Sequence, residues 1–338
     1  MKIQLQEKFE DIISVENLLL AWREFERGKK NRRDVQEFSL RLVDNIFSLH
    51  RDLFNHTYKH GGYQAFKIND LKLRDIHKAI VRDRLFHHAI YRILYPFFEK
   101  TFISDSYSCR IRKGTHKAIG RFRKFAYKVS RNSTRTCWIL KCDIRKFFAN
   151  IDHGVLIKIL KEYILDKDII WTLENVIGSF SSVEGKNIGL PLGNLTSQLF
   201  VNIYMNKLDQ FVKHRLKAKY YIRYSDDFVI LSESKKRLKK IISPIKIFLE
   251  EKLKLELHPN KAYHKTLASG VDFLGMVNFS DHRILRTKTK KRMLRKIKEN
   301  GFLLREELIS EARFSQSLQS YLGILKHCNG YDIQKEIG

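Results

Sequence analysis

The chain has 338 residues, 43% of them hydrophobic, and carries a formal net charge of +28. That apolar content excludes a disordered chain, and the length points to a globular body of two or three subdomains. A surface this basic repels itself unless its partner is polyanionic, so nucleic acid is the expected partner. The charge is clustered: Arg110 to Arg131 holds nine Lys/Arg, and His282 to Ile297 holds eight, neither with an acid. Runs without intervening acids argue for two walls of a groove and against ordinary salt-bridged surface helices. The N-terminus MKIQLQEKFEDIIS lacks an apolar leader core, and no run approaches the roughly 18 apolar residues of a membrane span. Cys109, Cys137, Cys142 and Cys328 show no C-x-x-C spacing, and the histidines form no zinc pattern with them. A reduced, cytoplasmic protein with no membrane partner is expected.

Residues 1 to about 60 are helix-rich in pattern, with Leu18, Leu19, Trp22 and Phe25, then Phe38, Leu42, Ile46, Leu49 and Leu53 recurring at three-to-four spacing. His56 and His60 flank Thr-Tyr-Lys before Gly61-Gly62 and read as loop histidines. YQAFKINDLKLRDI then reads as strand, polar turn and strand, a β-ribbon gathering Lys67, Lys72 and Arg74 that can grip a triphosphate. Residues 75 to 102 look helical, ending near Tyr95-Pro96. In the acid-poor segment that follows, Arg110, Lys113 and Lys117 are candidate contacts to backbone phosphates.

TCWILKCD, 136–143, is a strand ending in Asp143, and a helix begins near His153, with Asp152 read as its N-cap in preference to a metal ligand. IGLPLGN is a Gly/Pro-punctuated loop before a long helix with Leu195, Leu199, Ile203, Leu208 and Val212 on one face. Its small polar start either caps itself or presents backbone N–H groups to an anion. In YYIRYSDDFVIL, 220–231, aromatic and β-branched runs flank Ser225-Asp226-Asp227, which places two acids at a hairpin tip. Such a tip is either an acidic, solvated turn or a site whose charges need a divalent cation. A surface helix over Lys235 to Leu257, a turn exposing Lys261, a strand pair at 271–279 and a basic helical tail follow.

Asp143 and Asp226 each adjoin a strand, and antiparallel neighbours would bring both to one point. Two divalent ions held roughly 3.5 to 4 Å apart by such carboxylates can activate an attacking hydroxyl and stabilise a leaving phosphate. Magnesium, hard and oxygen-bound, suits this, with manganese as a substitute.

Five ordered motifs make the pattern specific: DIRKFFANIDH at 143–153, GLPLGNLTSQLF at 189–200, YSDD at 224–227, HPNK at 258–261 and FLG at 273–275. Together they resemble a reverse transcriptase from about Gly62 onward. The resemblance implies an α+β right-hand polymerase: a helical extension over 1–60, fingers over 61–135, a palm of antiparallel sheet and helices over 136–280 with part of the fingers interleaved, and a basic helical thumb over 281–338. It implies two metal ions on Asp143 and Asp226 with Asp227 beside them, and Lys261 as proton donor to the leaving pyrophosphate. Lys72 and Arg74 would hold the triphosphate, with Phe148, Leu192, Gly193 and Gln198 around the dNTP. Phe148 matches an aromatic that crowds a 2′-OH, and its competing role is core packing. Lys290, Lys291 and Arg292, in the thumb-like tail, would contact nucleic-acid phosphates.

Within the family, DLKLRDI, DSYSCRIRKGTH and LGNLTSQ look like the reverse transcriptases of diversity-generating retroelements, relatives of group II intron enzymes. That likeness implies error-prone copying of template RNA into cDNA from a primer and dNTPs, with an accessory protein or structured noncoding RNA as a further partner. Related enzymes of antiphage defence share the core and are the alternative. Nothing after the tail resembles a ribonuclease H or zinc endonuclease domain, so other factors are expected to remove template. A metal nuclease and a non-catalytic, maturase-like RNA-binding protein remain as rivals. The first would not need Phe148, Lys72 or Arg74, and the second would not need the carboxylates.

Overall fold

The computed structural model describes residues 3–69 and 73–337. Phe9–Ile13 (α1), Val15–Phe25 (α2), Arg33–Leu40 (α3) and Leu42–Phe54 (α4) form the expected helical N-terminus. Ser14 caps α2 through the Asn17 amide, and Leu18, Trp22 and Phe25 bury the face their spacing sets out. Tyr63–Asn69 (β1) and Leu73–Ala79 (β2) pair antiparallel as a ribbon. The next helix, Val81–Glu99 (α5), begins later than expected because Asp75 to Ala79 complete the ladder with β1. It also runs through Pro96, whose missing N–H costs one bond in the last turn only. Thr115–Val129 (α6) follows.

Trp138–Asp143 (β3), Tyr220–Tyr224 (β4), Asp227–Ser232 (β5) and Tyr263–Thr266 (β6) make an antiparallel sheet in the order β4-β5-β3-β6. Its side chains alternate between two cores, as the pleat requires. Leu140, Cys142, Tyr221, Phe228 and Ile230 enter the larger core, shared with α5 and with His153–Lys161 (α7), Lys167–Gly178 (α8), Leu195–Gln210 (α9) and Lys235–Leu253 (α10). Ile139, Ile222, Val229 and Leu231 face Phe122 and Phe125 of α6 on the opposite side. Asp143 and Asp227 share the parity of that α6-facing set. The helix expected to reach Leu257 stops at Leu253, where Lys254 adopts φ +48°.

Val271–Phe273 (β7), Met276–Asn278 (β8) and Arg283–Leu285 (β9) form a separate three-stranded sheet. Its first turn, Leu274-Gly275, has positive φ at both residues, so the glycine there serves a tight hairpin. The tail is helical: Thr287–Arg305 (α11), Glu311–Leu325 (α12) and Tyr331–Ile337 (α13). Ile119 of α6 shares a third core with Met276, Leu285, Met293, Leu325 and Ile333. The two basic stretches are therefore packed together: His116 stacks on His327 at 3.9 Å, and Arg283 Nη2 donates to the Ile119 carbonyl. Among the described residues no helix is long and apolar enough to cross a membrane, and the four cysteines are free thiols.

Candidate active site

Pairing of β3 with β5 sets Asp143 directly opposite Asp227, and Ser225-Asp226 is the two-residue turn between β4 and β5. The Ile144 amide donates to the Asp226 carbonyl at 3.2 Å, pinning that turn to the end of β3. Three carboxylates thus gather where the sheet meets solvent. Beside them, the His258 amide donates to the Asp143 carbonyl at 2.8 Å, and Lys261 Nζ lies 2.8 Å from Asp143 Oδ1. Lys261, expected on an exposed turn, is half-buried in an ion pair with the candidate metal ligand.

Two residues here were not singled out in the sequence. Lys141, two before Asp143 and therefore on the same face of β3, is buried, with Nζ 3.3 Å from Asp227 Oδ2 and 2.8 Å from the Asp272 carbonyl. Arg223, buried within β4, binds Asp209 of α9 in a two-pronged pair, Nε to Oδ1 at 2.8 Å and Nη2 to Oδ2 at 2.7 Å. Tyr221 Oη donates to the same carboxylate at 2.7 Å. Removing one partner of such a buried pair typically costs about 3–5 kcal/mol. A lone cation inside an apolar strand, in WILKCD and again in YYIRY, was the available signal, because it requires a buried anion nearby.

Burial pushes the Asp227 carboxyl up to about 7; Lys141 pulls it down, and Asp226 and Asp143 push it further up. The folded chain therefore holds this proton where the unfolded chain, with an ordinary carboxyl near 4, has lost it. Without divalent ions, stability attributable to Asp227 should fall as pH rises from roughly 4 to 7 and then level off. Melting temperatures in EDTA at pH 5 and pH 8 check this: the parent should lose more than Asp227→Asn does. Equal losses would show that the carboxyl titrates normally.

The donor set suits a hard cation. All three groups are carboxylates, and Asp227 Oδ1 is buried without a hydrogen-bond partner. Among the described residues no three His, Cys, Asp or Glu side chains close into a ready-made cage. Magnesium does not require one, since it takes one or two carboxylates and completes its octahedron with water and substrate phosphates. Asp152 is the N-cap of α7, accepting from the Val155 amide at 2.8 Å and pairing with Lys254.

The other candidates fall into three groups. Phe148, Leu192 and Gly193 are joined through the backbone: the Leu190 amide donates to the Phe148 carbonyl at 2.8 Å, and the His77 amide of β2 donates to the Leu192 carbonyl at 3.0 Å, while Gln198 is half-buried near the start of α9. Asn194 is the N-cap of α9 but does not cap with its side chain; its amide donates to the His77 carbonyl at 2.9 Å, joining ribbon and loop again. Gly193, at φ +106°, has Ile76 Cγ2 only 2.9 Å from where a Cβ would sit, so only glycine permits this docking. Arg74 is exposed on that ribbon; Lys72 lies outside the described residues.

The basic candidates divide. Arg110 departs from the expectation: its side chain is 3% exposed, with the guanidinium paired with Glu99 and donating to the Ile103 and Ser106 carbonyls, so it braces a loop and does not present itself to a phosphate. Lys113 is half-buried against Ser104 and Tyr107, whereas Lys117 is exposed. Lys290, Lys291 and Arg292 lie in the first turns of α11, with Lys291 the most exposed.

The profile of the family described as "Reverse transcriptase (RNA-dependent DNA polymerase)" matches residues 67–278. Protein YkfC of Escherichia coli K12 is 25% identical over 255 residues, 65% of this chain and 65% of that protein. The group II intron-encoded protein LtrA of Lactococcus lactis is 25% identical over 292 residues, 67% of this chain and 47% of that one. The chain thus spans less than two thirds of either relative. Telomerase of Candida tropicalis has a related fold, with TM-score 0.50 at 14% identity over 72% of this chain and 60% of that one. A profile match running from the ribbon through the carboxylate turn to the β7–β8 hairpin shows that the chain belongs to the reverse transcriptase family.

Proposed function

We propose that the protein is an RNA-directed DNA polymerase that extends a primer on template RNA with dNTPs, in cells as part of a diversity-generating retroelement. In this reading residues 1–60 are an extension, 61–135 fingers, 136–280 palm and 281–338 thumb. The observation that carries it is the meeting of Asp143, Asp226 and Asp227 at the open end of β3, with Lys261 on Asp143.

Asp143 and Asp226 would hold two Mg²⁺ ions, with Asp227 alongside. Bound magnesium supplies a lowered pKa for the primer hydroxyl and positive charge for the phosphates. Lys141 offsets the charge of Asp227 from below, which leaves the outer carboxylates to face substrate. Lys261, whose Nζ lies 2.8 Å from Asp143 Oδ1, would supply its Nζ proton to the leaving pyrophosphate. The ribbon and the 190–194 loop, tied through His77, form the wall against which the incoming nucleotide lies. The joined basic stretches of α6 and α11 grip the duplex through phosphates, reading shape more than sequence.

Leu192 bears on fidelity. Leucine at this point of the nucleotide wall offers shape alone, where a glutamine amide would add directional hydrogen bonds, and polar contacts discriminate more sharply. Misincorporation should therefore be elevated, concentrated opposite template adenines, and several-fold lower in Leu192→Gln. Sequencing cDNA from an RNA template with all four bases measures both. Uniformly low error at adenine in the parent would remove the retroelement reading and favour antiphage defence. Unchanged error in the mutant would reject only the role given to Leu192.

A further inference from the structure

We infer that the buried Arg223–Asp209 pair is a positioning device for the turn that carries Asp226, acting through the Ser225 carbonyl to set how well a divalent ion is held. The inference rests on the polymerase reading above. Arg223 and Asp209 are 1% and 0% exposed, and an apolar pair of similar volume commonly stabilises a core as well or better. What a guanidinium adds is a rigid fork of donors. Nε and Nη2 are committed to Asp209, which fixes the direction of Nη1; that nitrogen meets the Ser225 carbonyl at 3.1 Å and Asn202 Oδ1 at 3.4 Å.

The turn needs holding. Ser225 sits at φ +56°, a left-handed conformation that a non-glycine residue keeps only where its surroundings over-determine it. Two hydrogen bonds clamp it: Arg223 Nη1 on the Ser225 carbonyl, and the Ile144 amide on the Asp226 carbonyl. The first clamp is referenced to α9, since Asn202 Nδ2 also donates to the Gln198 and Ser108 carbonyls. Arg223's own backbone is fixed too, by bonds of 3.0 Å to the Asp105 carbonyl and the Tyr107 amide. A lysine at this position keeps the charge but cannot span Asp209 in two places and still reach Ser225.

The test uses the full chain carrying Arg223→Lys or Asn202→Ala, the latter leaving the ion pair intact. Three quantities are compared with the parent: melting temperature, Mn²⁺ affinity by electron paramagnetic resonance without nucleotides, and the Mg²⁺ half-saturation of primer extension. Displaced outer partners of metal ligands typically cost about 10- to 100-fold in affinity, so Arg223→Lys should weaken Mn²⁺ binding about tenfold or more and raise the Mg²⁺ requirement in parallel. RNA binding should stay unchanged. A lower melting temperature with unaltered Mn²⁺ affinity and Mg²⁺ half-saturation would overturn the inference and leave the pair a purely structural element. If Arg223→Lys does not fold, Asn202→Ala decides: a shift in both ion measurements supports the device, and no shift overturns it. Should the parent extend no primer, the polymerase reading fails, while the Mn²⁺ measurement still judges the positioning role.

Discussion

Asp143→Asn and Asp226→Asn are each expected to lower Mg²⁺-dependent DNA synthesis by on the order of 10³-fold or more, while RNA binding stays within a few-fold of the parent. Each change removes one of the carboxylate charges that would hold the divalent ions neutralising the phosphates, an effect worth several kcal/mol at about 1.4 kcal/mol per tenfold. Neither touches the basic surface formed by α6 and α11. Asn keeps the carboxylate's shape, so the β3–β5 pairing and the Ile144–Asp226 clamp persist. Parallel primer-extension and RNA-binding assays check the result; substantial extension by either variant would remove the two-metal assignment.

The second large effect concerns Phe148. It stands in the short 3₁₀ turn Phe147–Asn150 that directly follows β3, with Phe147 buried beneath it and the two rings edge-on at 5.5 Å. Phe147 is the anchor, whereas Phe148 is half-buried, and its carbonyl ties the turn to the Leu190 loop. If the ring crowds a ribose 2′-OH, Phe148→Ala should admit ribonucleotides about 10- to 200-fold better relative to deoxynucleotides, the range that shape exclusion in a pocket provides. A pure packing role gives a different pattern: melting temperature and both activities fall together, toward the 3–5 kcal/mol typical of a large core truncation. Comparing rNTP and dNTP incorporation with thermal stability separates the two.

The elements were legible where periodicity was long and punctuation strong. The YSDD hairpin, the strand ending at Asp143, the Asp152 cap and the long helix after GLPLGN all stand where their residues indicate. Short strands such as β6 and β9 were not legible: three or four residues carry no alternation, and β6 pairs with β3 far along the chain. At the site, the acids announced themselves as charges in apolar runs. Their pairings did not: Lys141 reaches Asp227, Arg223 reaches Asp209 and Lys261 reaches Asp143 across the fold, contacts that spacing along the chain does not encode. The same limit explains Arg110, which sits in a basic run yet finds Glu99 on α5 and turns inward. Net charge counts cations without saying which are already paired.

Supplying the purified chain with a 5′-labelled DNA primer on an RNA template, four dNTPs and Mg²⁺ separates a polymerase from its rivals. The labelled strand should lengthen to the end of the template with template-coded sequence, and stay unchanged when Mg²⁺ is chelated. A labelled strand that shortens would identify a nuclease, and tight RNA binding with no change in strand length would identify a non-catalytic binder; either would exclude an RNA-directed DNA polymerase.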